Sequence, residues 1–241
     1  MSDETEPKAV VVGAGPAGLS AAVFAARAGF ETTVVEDGSS ILRRNAHLEN
    51  YLGFPAGVNS RLLLDMGREQ AERSGAEFAT GDVEAVEEDG DGFVIRTDGD
   101  DLSADYVVVA SWADASVLDA FDLDTTQQGS KTFVETDDGR TGVDGLYVAG
   151  RLAGQPHQTV VNAGHGAKTA LSMIHDSDVP FYHDWVAPEG YFTDRGRDVP
   201  PGCEEITEEE RMERERESLE LMRDYFEKPR SDEPTPHPSQ D

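Results

Sequence analysis

Six consecutive residues, Gly13-Ala14-Gly15-Pro16-Ala17-Gly18, have the types and spacing of a turn that lets a diphosphate reach the backbone. The apolar run Lys8–Val12 leads into them, and an alanine-rich stretch follows to Ala28, with Gly29 placed as a helix stop. Thr32–Val35 is a second β-branched run and ends in Glu36. Gly13 permits the tight turn, Gly15 opens the backbone to the phosphates, and Gly18 allows close packing of helix on strand. Pro16 and Ala17 start the helix, whose free N–H groups and positive dipole end face the diphosphate. Glu36 is set to accept from ribose hydroxyls and to repel a 2′-phosphate. Glycines recur in loops by chance. The strand before, the helix after and the acid closing the second strand make this a dinucleotide fingerprint, one that does not choose between FAD and NAD.

Other reactive side chains carry weaker signals. The six histidines (His47, His157, His165, His175, His183, His237) show no zinc spacing, so no metal is expected. His165 lies between two glycines and reads as a packed, half-buried residue. His157 is the better candidate for hydrogen bonding at a ligand edge. Trp112 either stacks on a ligand ring or fills space. Cys203, the only cysteine, sits beside Glu204 and Glu205, a poor setting for a nucleophile, and excludes an intrachain disulfide.

The elements that must position these groups follow from periodicity. Strand, helix, strand over Lys8–Glu36 reads as a right-handed parallel βαβ unit. Arg61–Ser74 is helical, with Ser60 as N-cap, Gly75 as stop, and Leu62, Leu63, Met66 and Ala71 on the buried side. Asp82–Glu87, Gly92–Thr97 and Asp101–Ala110 read as a small antiparallel meander feeding an apolar strand. Ser111–Ser130 is the least regular stretch. Phe133–Thr136 and Leu146–Ala149 read as strands, and Gln158–His175 as a helix. From Pro180 the aromatics Tyr182, Trp185, Tyr191 and Phe192 appear without periodicity, covering either a ligand face or a dimer contact. Thr207-Glu-Glu-Glu210 is a capping box opening a charged helix to Phe226, with Ile206, Met212, Leu219, Met222 and Phe226 as a narrow docking stripe. The Pro-rich last dozen residues read as disordered.

Bulk properties bound the partners. The chain has 241 residues, and 49 acidic against 20 basic residues give a net charge of -29. Only Lys8, Lys131, Lys168 and Lys228 are lysines. An evenly acidic, lysine-poor surface suits molar salt, where the Debye length is about 3 Å and self-repulsion costs little. No basic stripe exists for nucleic acid, no stretch is apolar enough for a membrane span, and the acidic Met1–Pro7 is no signal peptide. A salt-adapted cytoplasm is the expected location.

Several segments occur in an order that resembles the FAD domain of the thioredoxin reductase family. They are the glycine turn, Asn50-Tyr-Leu-Gly-Phe-Pro55, the helix with Arg68-Glu-Gln-Ala-Glu-Arg73, Ala104-Asp-Tyr-Val-Val-Val-Ala110, Thr141-Gly-Val-Asp-Gly-Leu-Tyr-Val-Ala-Gly150, and His157–Leu171 containing Ala163-Gly-His-Gly166. The resemblance covers residues 8–175 and implies FAD. It places Gly13, Gly15, Gly18 and Glu36 at the diphosphate and ribose, and Asn50 near the flavin. His157, Gln158 and Thr159 fall at a helix N-terminus facing the flavin pyrimidine edge. Three positions depart from it. Arg151, after Ala149-Gly150, stands for an aspartate that bonds the ribityl chain, Ala110-Ser111-Trp112 stands for Ala-Thr-Gly, and Ile41 stands for a glutamine. The family's NADPH domain, roughly 100 residues, has no room between Ala110 and Phe133, and its Cys-x-x-Cys is absent.

The expected architecture is α/β. A single FAD/NAD(P)-binding Rossmann-like domain, residues 1–178, has a parallel sheet plus a small antiparallel meander. An irregular and helical C-terminal extension, residues 179–241, carries the acidic helix 207–226. The expected activity is that of an FAD-binding oxidoreductase with an external electron donor or redox partner protein. The thiol–disulfide mechanism of the family is excluded for this chain alone, and a homodimer is implied by resemblance. A non-catalytic nucleotide-binding module acting through docking, and an NAD site, are the competing readings.

Overall fold

A computed structural model describes residues 6–237. Residues 6–177 with 233–237 form one compact unit and Asp178–Asp232 a second. The fold is α/β as expected.

The first unit opens with β1 (Lys8–Val12), α1 (Pro16–Ala28) and β2 (Glu31–Glu36). Ala9–Val12 are all buried because the strand is covered on both faces, which is why it reads as a continuous apolar run. Gly29 ends α1 at φ 100°, its N–H capping the Ala25 and Ala26 carbonyls. α2 (Ser60–Arg73) follows. Its N-cap is Asn59, whose side chain accepts from Arg61 and Leu62 N–H, and not Ser60, whose hydroxyl donates to Asn45 C=O at 2.5 Å. Its buried face holds Leu62, Leu64 and Ala71, while Leu63 and Met66 are half-buried.

β3 (Glu77–Thr80) extends the sheet parallel to β2 and carries no apolar alternation to announce it. β4 (Val83–Asp89), β5 (Gly92–Thr97) and β6 (Leu102–Ala104) form the antiparallel meander. The expected single strand Asp101–Ala110 is two strands. The chain breaks at Asp105, whose N–H bonds Lys8 C=O at 3.0 Å and whose carboxylate takes Lys8 N–H at 2.7 Å. β7 (Tyr106–Val109) then enters the parallel sheet beside β1. Residues 111–130 are more regular than their sequence implies. β8 (Thr125–Gln128) pairs antiparallel with β9 (Lys131–Val134), so the strand expected at Phe133–Thr136 starts and ends two residues earlier. β10 (Leu146–Val148) completes a five-stranded parallel sheet of order β10-β7-β1-β2-β3. α3 (Thr159–Asp176) closes the unit with Gln158 as N-cap.

The core joins the sheet to the meander: Val10, Val12, Val107, Val109, Leu146 and Val148 pack with Phe93, Ile95 and Leu118. The helices on the other face touch at glycine. A Cβ on Gly166 of α3 would lie 2.0 Å from the Ala17 carbonyl oxygen of α1. In the Pro-rich tail Thr235 N–H donates to Arg43 C=O at 3.0 Å, and residues 238–241 of that stretch fall outside the described residues with Met1–Thr5.

The second unit pairs β11 (Trp185–Pro188) with β12 (Cys203–Ile206) in parallel and ends in α4 (Glu208–Phe226). Trp185, Tyr191 and Phe192 pack edge to face on one another, with centroids 4.6 to 5.8 Å apart. Thr207 caps α4 by accepting from Glu210 N–H at 3.2 Å. Met212, Leu219, Met222 and Phe226 of the stripe are exposed, whereas Ile206 is buried in β12. No described helix is long and apolar enough to cross a membrane.

Candidate functional site

The C-terminal ends of β1, β2 and β7 open into a cavity of about 1130 Å³ in the first unit. That exceeds the ~300–1,000 Å³ of ordinary small-molecule pockets and suits an extended dinucleotide. Position at the strand ends follows the general rule for open parallel sheets.

The glycine turn forms one wall. Gly13 holds φ 100° and its N–H donates to Val35 C=O at 2.8 Å, which ties the turn to the end of β2. A Cβ on Gly18 would lie 1.8 Å from Gly13 O, so helix and turn pack only because no side chain is there. In front of Gly15 the nearest atom to such a Cβ is Ser40 Oγ at 3.7 Å, leaving this backbone open to the cavity. α1 has no side-chain cap and no acid in its first turn, and the same is true of α3. In a chain with 49 acidic residues, two uncapped N-termini free of acid present positive dipole ends, and both border the cavity.

Glu36 lines the cavity at the end of β2 and is held by Arg68 of α2, whose Nη1 donates to it. Arg68 is in turn seated over the Phe78 ring at 4.0 Å and bonded to Glu72 at 3.0 Å. The carboxylate is thus oriented, and it keeps acceptor capacity for a hydroxyl pair.

Segment 150–162, which abuts the first turn of α1, builds a further part of the wall. Asn50 Nδ2 donates to Gln158 Oε1 at 2.7 Å. His157 meets Trp112 edge to face at 4.7 Å, and desolvation there, then the charges of Arg151 and Lys131, lower its pKa, so the ring is neutral at pH 7. Arg151 lies over Phe133 at 4.4 Å and donates from Nη1 to Gln155 C=O at 2.7 Å. Gly150, at φ 69°, donates its N–H to His165 Nδ1 at 3.1 Å. Burial, then Lys168, lowers the His165 pKa and keeps that nitrogen an acceptor.

The structure therefore brings Gly13, Gly15, Pro16, Ala17, Glu36, Asn50, Arg151, His157, Gln158 and Thr159 to one cavity. Gly18 and Gly150 stand behind its surface and shape it. His165 is half-buried, as its sequence setting implies, and its role is to hold the Gly150 backbone. Arg151 points along the wall against Trp112 and Phe133 and not to solvent. Asn162 was not expected. It lines the cavity from α3, 8% exposed, and no spacing rule singles out an asparagine inside a helix. Among the described residues no cluster of metal-ligating side chains occurs.

Residues 7–80 match the family model of the pyridine nucleotide-disulphide oxidoreductases. Thioredoxin reductase of Aquifex aeolicus (strain VF5) is 38% identical over 107 residues, 43% of this chain and 33% of that protein. The bifunctional thioredoxin reductase/thioredoxin of Mycobacterium leprae (strain TN) is 41% identical over 111 residues, 44% of this chain and 24% of that protein. The chain thus spans well under half the length of these curated relatives. Among solved structures, T. acidophilum thioredoxin reductase aligns with a TM-score of 0.65 at 18% identity, covering 72% of this chain and 99% of that one. A thioredoxin reductase from Gloeobacter violaceus aligns at 0.62 and 14%, covering 75% and 100%. The chain is thus similar in part of its sequence, and in its fold, to thioredoxin reductases.

Proposed function

We propose that this thioredoxin reductase-like chain binds FAD in the cavity of its first unit and acts as an oxidoreductase supplied by an external electron donor or redox partner protein. The observation that carries the reading is the convergence on one cavity of the open glycine turn, the oriented Glu36 and the acid-free N-terminus of α3. In this reading Gly13, Gly15, Pro16 and Ala17 hold the diphosphate and Glu36 holds the adenosine ribose. Asn50, Gln158 and Thr159 border the redox ring. Bound flavin supplies the hydride or single-electron transfer that no side chain of this protein can perform. The positive end of α3 stabilises negative charge that develops beside it, and His157, whose lowered pKa favours the neutral ring, offers a hydrogen bond there.

The external donor is supported by what lies between β7 and β10. Residues 111–145 hold short turns and the β8–β9 hairpin, well below the roughly 100 residues of a nicotinamide domain. Cys203 is the only cysteine, so no dithiol within this chain relays electrons. The acidic, lysine-poor composition supports a salt-rich cytoplasm as the working medium.

The visible spectrum of protein purified in high salt tests the reading. A yellow protein that releases free FAD on heating supports it, and stopped-flow mixing with NADPH, NADH or reduced ferredoxin then identifies the donor. A colourless protein that takes up no added FAD ends it.

A further inference from the structure

Among the described residues of the first unit, three large apolar side chains remain exposed: Leu52 at 88%, Val160 at 39% and Val161 at 37%. They belong to two segments that the Asn50–Gln158 hydrogen bond joins. Leu52 follows Asn50 by two residues, and the valines follow Gln158 in the first turn of α3. A built turn displays Leu52. Phe54 N–H donates to Tyr51 C=O at 3.4 Å, Gly53 holds φ 101° at the turn's third position, and the Tyr51 and Phe54 rings lie 6.0 Å apart. Apolar side chains scattered over a surface need no explanation. Gathered at one place, in a unit that exposes no others among its described residues, they mark a contact face.

The charge pattern agrees. Residues 50–60 and 152–167 contain no Asp, Glu, Lys or Arg, although 29% of the chain is charged. Glu49, just before the first of these segments, is engaged by His47 at 2.8 Å. With a net charge of -29 the surface at large repels an acidic partner, and this face repels it least. An uncharged apolar face is complementary to a like face, and no ion is left unpaired when water is expelled between them.

Position narrows the partner. Asn50, His157 and Gln158 are exposed and also line the cavity, so the face lies at the cavity mouth. Leu52, Val160 and Val161 stand outside the cavity lining, and a leucine raised on a turn suits a protein surface, where a small molecule would need a concave pocket.

We propose that the face carrying Leu52, Val160 and Val161 docks a one-electron carrier protein, which meets it with an uncharged apolar patch around its own redox group. The proposal rests on the FAD reading above. Each docked carrier is oxidised by one electron, two such deliveries reduce one flavin, and the accompanying protons come from water.

Stopped-flow reduction of the FAD-loaded full chain in molar KCl tests it, with reduced ferredoxin and reduced flavodoxin as protein donors and dithionite as the small one. Wild type is compared with Leu52→Gln, Val161→Gln and the double variant. None adds charge, and glutamine suits a helix better than valine. In the double variant the carrier concentration giving half the maximal rate should rise roughly tenfold or more. FAD affinity and the dithionite rate should stay unchanged. Equal carrier dependence in wild type and double variant overturns the proposal, and so does a parallel fall in the dithionite rate. A wild type reduced by dithionite but by neither carrier also overturns it and leaves the flavin reading intact. A wild-type dimer in sedimentation that the double variant abolishes would assign the face to a second copy and overturn it too. A wild type that holds no FAD overturns both readings.

Discussion

Asn50 and Gln158, 108 residues apart in the chain, are joined side chain to side chain at 2.7 Å, so the loop after β2 and the N-terminus of α3 meet at the cavity. Both are exposed, and a single exposed hydrogen bond contributes little to stability. Asn50→Ala is expected to leave the melting temperature unchanged within about 0.5 kcal/mol of stability. FAD affinity falls severalfold because the loop is no longer tied. Calorimetry of unfolding and FAD titration on one preparation check both halves; equal binding by wild type and variant would show that the contact positions nothing.

Two glycines of α3 give a matched pair. Gly166→Ala drives its methyl to 2.0 Å from Ala17 O and must separate the helices, at a cost of about 1–3 kcal/mol or more. A Cβ at Gly164 meets nothing within 4 Å, so Gly164→Ala gains about 0.5–1 kcal/mol from helix propensity. Opposite shifts in melting temperature are the expected outcome.

His165 makes the 150–151 turn sensitive to acid. Its pKa in the folded chain is lowered, by burial first and by Lys168 second, while Asp138 acts in the opposite sense. The unfolded chain therefore takes up the proton first as pH falls. The stabilising contribution is complete above about pH 6.5 and is lost as pH drops through the depressed folded value. The stability gap between wild type and His165→Leu should narrow on acidification from pH 7.5 to 5. A gap that does not change with pH would remove His165 from this role.

Glu205 organises the turn of the second unit. It accepts from the N–H groups of Gly190, Phe192 and Thr193 and from the Thr193 hydroxyl. Desolvation raises its pKa, but these donors outweigh it and hold the group down to about 2. Its contribution is present above the ordinary 4.5 and lost as pH falls through about 2. Glu205→Gln should speed amide exchange at Phe192 and Thr193 at neutral pH, measured by NMR, without altering the first unit.

The charge predicts a salt response. With a net charge of -29, the melting temperature should rise steadily from 0.1 M to molar KCl as repulsion is screened. A melting temperature independent of salt would refute adaptation to brine.

What the residues announced and what they hid differ for physical reasons. The βαβ unit was legible because Gly13, Gly15 and Gly18 punctuate it and β1 is apolar on both faces. β3 was not, since Glu77–Thr80 is an edge strand with no buried alternation. Strand β8, Thr125–Gln128, is exposed throughout, so hydrophobicity gave no sign of it. Sequence separation hid the site's tertiary ties, such as Arg68 on Glu36 and His165 on the Gly150 N–H. Asn162 was invisible for another reason: it reaches the cavity lining from within α3, where no spacing rule marks an asparagine.

The β8–β9 hairpin places two antiparallel strands side by side, joined by Gly129 and Ser130 alone, both exposed. Its ends enter and leave the first unit as neighbours, so the tip is a splice point. A folded module whose own termini lie close together can be inserted between Gln128 and Lys131 without shifting the parallel sheet, and it would border the cavity wall, because Lys131 at that tip lies 5.4 Å from the Trp112 ring.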